Sequence, residues 1–403
     1  MTVKAEAHAA DADDARRSGG APPAGALPEA SLALLRQLTG PHGIQASGAA
    51  TATAEYHAVF TRDAIMAGIA GLLAADATIA EGLGRTLDTL SAHLGAEGQV
   101  PSNVRIPASG EAHVSFGTLA PRLDGAAWFL VGAGLAVRHG VRTAPSLADA
   151  VRRVARLLDT LEYNGRHLIY LPAGGNWADE YITDGWTLSD QALRAWALRV
   201  CASAFDEPAW AAKADAIGAA MTERFWDGAA EGPGPHWPFA SVSPTGARRA
   251  LDLAGCALLG VSGTAGPLAD EALDAITARF LEAGQLPPAF HPVIREGDAD
   301  WPALCHYHLH AFRNAPHEYH NGGIWPVWLG WLALALAARG RTEALATLRT
   351  LAARAYAAPG FAHHEFLHGE TLAPLGNADM AYTATGLVML AVADTPAQRR
   401  TLG

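Results

Sequence analysis

The chain has 403 residues, half of them hydrophobic and 17% charged, enough apolar material for a large core without disulfide support. A net charge of −11 argues against the basic face that nucleic acid or an anionic membrane would need, so neither is an expected partner. Cys201, Cys256 and Cys305 are far apart, with no CxxC spacing, and fit buried thiols in a reducing compartment; the expected location is the cytoplasm.

Residues 1–27 are rich in Ala, Asp, Gly and Pro and lack a continuous apolar stretch, which predicts a disordered tail rather than a secretory signal. One domain is expected from 28 to 403. Pro28 opens a helix striped with Leu32, Leu35 and Leu38, and further helices are predicted to begin near Arg62, Ile79, Asp124, Ser146, Thr187, Pro208, Ala247, Ala269, Gly323, Thr342 and Asp379. Thr187 and Asp190 have the spacing of a capping box. The uncharged run from Asn321 to Ala338 is as long as a membrane span, but it starts with polar groups and a proline and predicts a helix buried on all sides.

Two kinds of helix alternate. Segments such as "GAAWFLVGAGLAV" are apolar all round, whereas "SLADAVRRVARLLDTL" carries charge on one side. Buried helices paired with half-exposed ones imply two concentric layers, and six such pairs close an all-α (α/α)6 barrel, a six-hairpin toroid. In that architecture the loops before the inner helices line one funnel.

Polar and aromatic residues concentrate in those loops. "EYHAVFTRDAIMAG" brings Tyr56, Phe60, Arg62 and Asp63; "RLDGAAWFL" brings Asp124 and Trp128; "GGNWADEYITDGW" brings Trp177, Asp179 and Glu180. "HEYHNGGIWPVW" brings His320, Asn321 and Trp325, and "GFAHHEFLHGE" brings Glu365. Indole faces suit the apolar side of a pyranose, and Asp, Asn and Arg suit its hydroxyls, so a small-molecule sugar is the expected partner. Cleaving a glycosidic bond needs one protonated and one ionised carboxyl group, for which Asp179 and Glu365 on different loops are candidates. Each residue also has a plainer reading: Asp63 and Asp124 as helix-start charges, Trp128 and Trp325 as core.

Other chemistries leave weaker marks. His306, His308 and His310 alternate as metal ligands on a strand would, but no HExxH or Cys–His zinc spacing accompanies them, and no metal or cofactor is expected. A nucleophile elbow, a Walker loop and a dinucleotide fingerprint are all missing. Histidine-based epimerisation, with His306 and His364, and non-catalytic sugar binding remain open as alternatives, and a homo-oligomer is compatible with the sequence.

"YHAVFTRDAIMAGIAGLL", "RLDGAAWFL", "EYHNGGIWPVWLGWLALAL" and "HEFLHGETLAPLGNADMAYTATGLVMLA" resemble, in order, segments of the alkaline/neutral invertases. They are also similar to loops in the glucosidase domain of bacterial glycogen-debranching enzymes. The resemblance implies an (α/α)6 barrel and inverting hydrolysis of a sucrose-like or α-glucosidic substrate. Asp179 would be the general acid and Glu365 the general base. Arg62, Asp63, Asp124, His320, Asn321 and Trp325 would hold the sugar. Around the acid, "WADEYITDGW" replaces the invertases' Ile-Asp-Arg-Arg-Met-Gly, which removes two arginines, argues against sucrose and keeps Glu180 as a second candidate acid.

Overall fold

The computed structural model describes residues 27–48, 56–118, 120–163, 165–226, 236–306, 308, 311–357, 360–395 and 401–402. The expected tail lies outside them except for Leu27, which already begins a helix. Twelve helices of two or more turns occur among the described residues. They are α1 (Leu27–Leu38), α2 (Thr61–Leu73), α3 (Ala77–Ala92), α4 (Asp124–Arg138), α5 (Leu147–Asp159) and α6 (Leu188–Ala204), followed by α7 (Pro208–Arg224), α8 (Leu253–Ser262), α9 (Gly266–Ile276), α10 (Pro326–Ala338), α11 (Thr342–Tyr356) and α12 (Ala381–Val392).

The even-numbered helices form a closed ring. In it α2 packs on α4, α4 on α6, α6 on α8, α8 on α10, α10 on α12, and α12 back on α2. Each inner helix has one outer partner: α3 backs α2, α5 backs α4, α7 backs α6, α9 backs α8, α11 backs α10, and α1 backs α12. This is the (α/α)6 barrel. The division follows from the residues. Helix α4 is buried from Asp124 through Ala136, while α5 buries only Leu147, Ala150, Val151, Val154, Ala155 and Leu158, spaced three and four apart on one face. Within the uncharged run after Asn321, Pro326–Ala338 becomes α10, which is buried from Pro326 through Leu336. No helix among the described residues is long and apolar enough to cross a membrane. Cys201 and Cys256 are buried free thiols, and Cys305 is half-buried.

Two expectations need correction. The helix expected near Ala247 is instead a strand, Gly246–Arg248, in a hairpin with Ser241–Ser243; helix α8 starts at Leu253, where the Asp252 side chain accepts from the Gly255 N–H at 3.0 Å. Thr187 and Asp190 do not form a capping box, because the Thr187 hydroxyl donates to Asp190 Oδ2 at 2.6 Å and caps no backbone N–H.

Short strands stitch the loops at one end into a rim. Val59–Phe60 pairs with Asn103–Arg105, Trp186–Thr187 with Ser241–Ser243, and Leu251–Asp252 with Phe290–His291. Three of these strands run straight into inner helices α2, α6 and α8. The rim is therefore built from the segments in which the polar residues collect.

Inner helices approach closely where they carry glycine. A Cβ on Gly330 of α10 would lie 2.6 Å from the Gly386 Cα of α12, and one on Gly386 would strike the Pro326 carbonyl and lie 2.5 Å from the Val327 Cα. Backbone cannot move aside as a flexible side chain can, so Gly386→Ala should destabilise the fold by about 1–3 kcal/mol. Gly125→Ala, whose methyl meets the Thr61 side chain at an ordinary 3.6 Å, should be neutral or stabilising by up to about 1 kcal/mol. Thermal melts of the two variants decide; equal effects would contradict the close packing.

Candidate active site

The rim is locked by asparagines. Asn314 is fully buried: its Oδ1 accepts from the backbone N–H groups of His320 and Asn321 at 3.1 Å each, and its Nδ2 donates to the Glu180 carbonyl at 2.6 Å. One side chain thus clamps the Asp179–Glu180 loop to the His-Asn-Gly-Gly loop. Asn176 shapes the former, accepting from the Ala178 N–H at 3.0 Å and donating to Asp190 on the first turn of α6 at 2.7 Å. On the other side, Ile324 and Leu367 exchange two backbone hydrogen bonds of 2.8 Å, which ties the same loop to the hairpin that carries Glu365. Gly376 returns that hairpin past Glu365 with φ +77°, and a Cβ there would lie 2.7 Å from Glu365 Oε2. His317, Tyr319, His363 and Asp379 all adopt positive φ and flank these two loops, so backbone strain gathers around one place.

Three arginines meet the carboxylates here. Arg62 pairs with Asp124 at 2.6 and 3.4 Å. Arg313 forks onto both oxygens of Glu180, at 2.7 and 3.1 Å, and lies 3.9 Å over the Tyr319 ring. Arg122 donates to Asp179 Oδ2 at 2.7 Å and to the Gly174 carbonyl. Glu180 has only 3% of its side chain exposed, and both its oxygens are occupied. It is a strut, which leaves Asp179 as the loop's available acid. Asp179 lies deep in the funnel yet keeps 26% of its side chain open to solvent.

Burial dominates the proton affinities. It pushes the Glu365 carboxyl up to about 7, against the pull of Arg313 and the Asn377 N–H and with the help of the negative charges on Asp179 and Asp63. It pushes Asp63 up to about 6, against Arg62. Burial also raises Asp179, while Arg122 and then Arg62 favour its ionised form. Tyr56 is raised chiefly by the charge on Glu365, with Asp63 and Asp179 contributing. The charges of Asp63 and Asp179 thus reach both Tyr56 and Glu365, which places the four groups within electrostatic range of one another. Tyr56 stacks on Phe60, centroids 5.8 Å apart, just before α2.

The floor is aromatic. Trp177 lies flat on Phe290 and meets the edges of His320 and Trp325. Both His320 ring nitrogens, Trp177 Nε1, Trp328 Nε1 and the Tyr382 hydroxyl are buried without a protein hydrogen-bond partner among the described residues. Burial holds His320 well below its ordinary pKa, hence neutral. Buried polar atoms of this kind call for a polar ligand or water.

Three expected sugar contacts are placed otherwise. Trp128 is 1% exposed, packed against Trp196 and Trp331 in the interior of the ring. The Asn321 amide is spent on the backbone of Ile294 and Asn314. Trp325 has His320 stacked on it at 5.5 Å and Phe366 at 5.6 Å, and donates its N–H to the Tyr319 carbonyl. Each builds the wall behind the cavity. Arg122, Arg313, Asn314 and Tyr382 were not foreseen; Arg313 and Asn314 stand just ahead of the His-Asn-Gly-Gly motif and could have been weighed with it. Among the histidines, His306 Nδ1 bonds the Pro302 carbonyl and His364 Nδ1 accepts from the Ala362 N–H, so each of the pair considered for epimerisation has one ring nitrogen committed to backbone. His310 lies outside the described residues, and among those described no group of three His, Cys, Asp or Glu is arranged to hold a metal.

Asp190, fully buried on α6, accepts from Thr187 and Asn176 and is raised by burial and then by the charge on Asp124. An acid raised in the fold costs stability progressively as pH rises from the ordinary carboxylate range through the raised value. Asp190→Asn should therefore gain thermal stability relative to wild type between about pH 4 and about pH 8. A difference in melting temperature that stays flat with pH would contradict the raised proton affinity.

No family model and no curated protein sequence matches the chain. Solved structures do. A GH63 mannosylglycerate hydrolase from Thermus thermophilus is similar with TM-score 0.64 at 13% identity, over 91% of this chain and 100% of that one. A bacterial glucoamylase complexed with acarbose gives 0.62 at 15% identity, over 93% of this chain and 56% of that one. A rhamnosidase from Klebsiella oxytoca with rhamnose bound gives 0.61 at 14% identity, over 90% and 62%. The chain thus spans less than two thirds of the last two. These are (α/α)6-barrel glycoside hydrolases, and the likeness is one of fold.

Proposed function

We propose that the protein is a cytoplasmic glycoside hydrolase acting on a small glucoside or oligosaccharide, with Asp179 as general acid and Glu365 as general base. The observation that carries this reading is the approach of two buried carboxyl groups, 186 positions apart in sequence, close enough that the charge on Asp179 raises the proton affinity of Glu365. Their surroundings suit different tasks. Asp179 is the more open, as an acid facing a departing group must be, and Glu365 is the deeper, near enough to the Tyr382 hydroxyl, which has no partner among the described residues, to raise its proton affinity.

In the reaction the Asp179 proton passes to the glycosidic oxygen as its bond to the anomeric carbon breaks. A water molecule attacks the opposite face and gives a proton to Glu365, and solvent exchange restores both groups. Inversion requires the carboxyls about 6.5–9.5 Å apart, leaving room for that water. The motif resemblance supports an α-glucosidic or sucrose-like substrate, and the loss of the invertase arginines around the acid favours α-glucosides over sucrose. Glycoside hydrolase activity in the structurally similar proteins supports the same class.

Incubation with sucrose, maltose, isomaltose and glucosylated small molecules, with anomers followed by NMR, should yield two products and inverted stereochemistry. Asp179→Asn should lower kcat on unactivated glycosides by about 10²–10⁴-fold while sparing a nitrophenyl glycoside, and Glu365→Gln should lower both. Wild-type turnover in either variant, or a single isomerised product, would overturn the assignment.

A further inference from the structure

The three arginines at the site are not equivalent. Arg62 and Arg313 each have a dedicated carboxylate, Asp124 or Glu180, whose side chain is 3% exposed and touches them through two hydrogen bonds. Arg122, with 12% of its side chain exposed, has one carboxylate partner, and that partner is Asp179 through a single oxygen. Its remaining contacts are the Gly174 and Ala120 carbonyls. Among the described residues, the cation beside the acid is therefore counterbalanced only by the group that must become neutral to work. Protonating Asp179 would leave a largely buried guanidinium facing two carbonyl dipoles and no anion, a costly state. Without another anion, the guanidinium opposes the rise that burial gives Asp179, so the acid is held back from full protonation by the one cation beside it.

Resting on the reading of this site as a glycosidase, we infer that Arg122 is a specificity-determining residue that receives an anionic group on the leaving side of the substrate. The ligand class is a glycoside whose aglycone carries a carboxylate or an equivalent anion next to the scissile oxygen. When that anion pairs with Arg122, Asp179 loses its counter-ion, takes a proton from solvent, and becomes a competent donor. Glu365 releases its proton and becomes the base. A planar guanidinium suits this exchange, because it can pass from a single oxygen of Asp179 to both oxygens of a substrate carboxylate. The site would thereby select by charge: a neutral aglycone leaves Arg122 paired with the acid and opposing its protonation.

The test uses two glycosides of one sugar, differing in their aglycones, glycolate and glycolamide, which are nearly isosteric and differ by one charge. Wild type should favour the glycolate by roughly tenfold or more in kcat/KM. Arg122→Gln should bring the ratio near one, and Arg122→Lys should retain part of the preference. The ratio is taken within each variant, so partial loss of folded protein cancels, and a merely structural role for Arg122 would not move it. A wild-type ratio at or below one, or a ratio unchanged in Arg122→Gln, overturns the inference while leaving the glycosidase reading in place. Should neither glycoside be cleaved, the readout is melting temperature with free glycolate in excess. A rise in wild type that Arg122→Gln abolishes supports the anion site even as the hydrolysis reading fails, and no Arg122-dependent rise overturns it.

Discussion

Carboxyl groups held out of water at the open end of the inner ring set the terms for everything else at this site. Asp63, Asp124 and Asp190 stand in the first turn of three successive inner helices and Asp252 caps the fourth, and all four are buried. The partial positive charge of a helix N-terminus suits an acid there, and it makes tolerable a concentration of acidic groups that water would otherwise have to solvate. The compensation is incomplete. Asp63 and Asp252 are both driven up to about 6 by burial, and Glu365 to about 7. A fold that gathers acids where they are reluctant to ionise has, in the same step, made groups able to give and take protons near neutrality.

Such an arrangement needs loops that do not drift, and three amide side chains supply that. Asn314 holds the acid-bearing loop against the His-Asn-Gly-Gly loop, Asn321 fastens that loop to Ile294, and Asn176 fastens the acid-bearing loop to Asp190. Positive φ at His317, Tyr319, His363 and Asp379 is sustained because these clamps and the strand pairings leave the chain no other route. The aromatic layer beneath, with Trp177, Trp325, His320 and Phe366 in mutual contact, excludes water from below and raises the cost of charge above it.

The two-layer barrel was readable in the sequence because burial on all sides and burial on one face leave different compositions in consecutive helices, as α4 and α5 do. Strands of two or three residues leave no periodicity, so the rim pairings and the late start of α8 were not readable. In the His-Asn-Gly-Gly motif, Asn321 and Trp325 hold the loop and its backing, whereas at this end of the ring polar atoms without partners among the described residues belong to His320, Trp177, Trp328 and Tyr382. Arg313 escaped notice because its partner Glu180 is 133 positions away, and a sequence shows a pair only when its members are near each other or their spacing repeats. Trp128 sits at the start of a helix, where the funnel was expected, but its side chain points into a ring whose interior is filled by other tryptophans.

The central claim is that Asp179 and Glu365 lie close enough for the charge on Asp179 to raise the proton affinity of Glu365. It is tested most directly by titrating the Glu365 carboxyl carbon by NMR in wild type and in Asp179→Asn. The account predicts a Glu365 pKa near 7 in wild type that falls when the neighbouring negative charge is removed. A Glu365 that titrates in the ordinary carboxylate range, or one indifferent to residue 179, would contradict it.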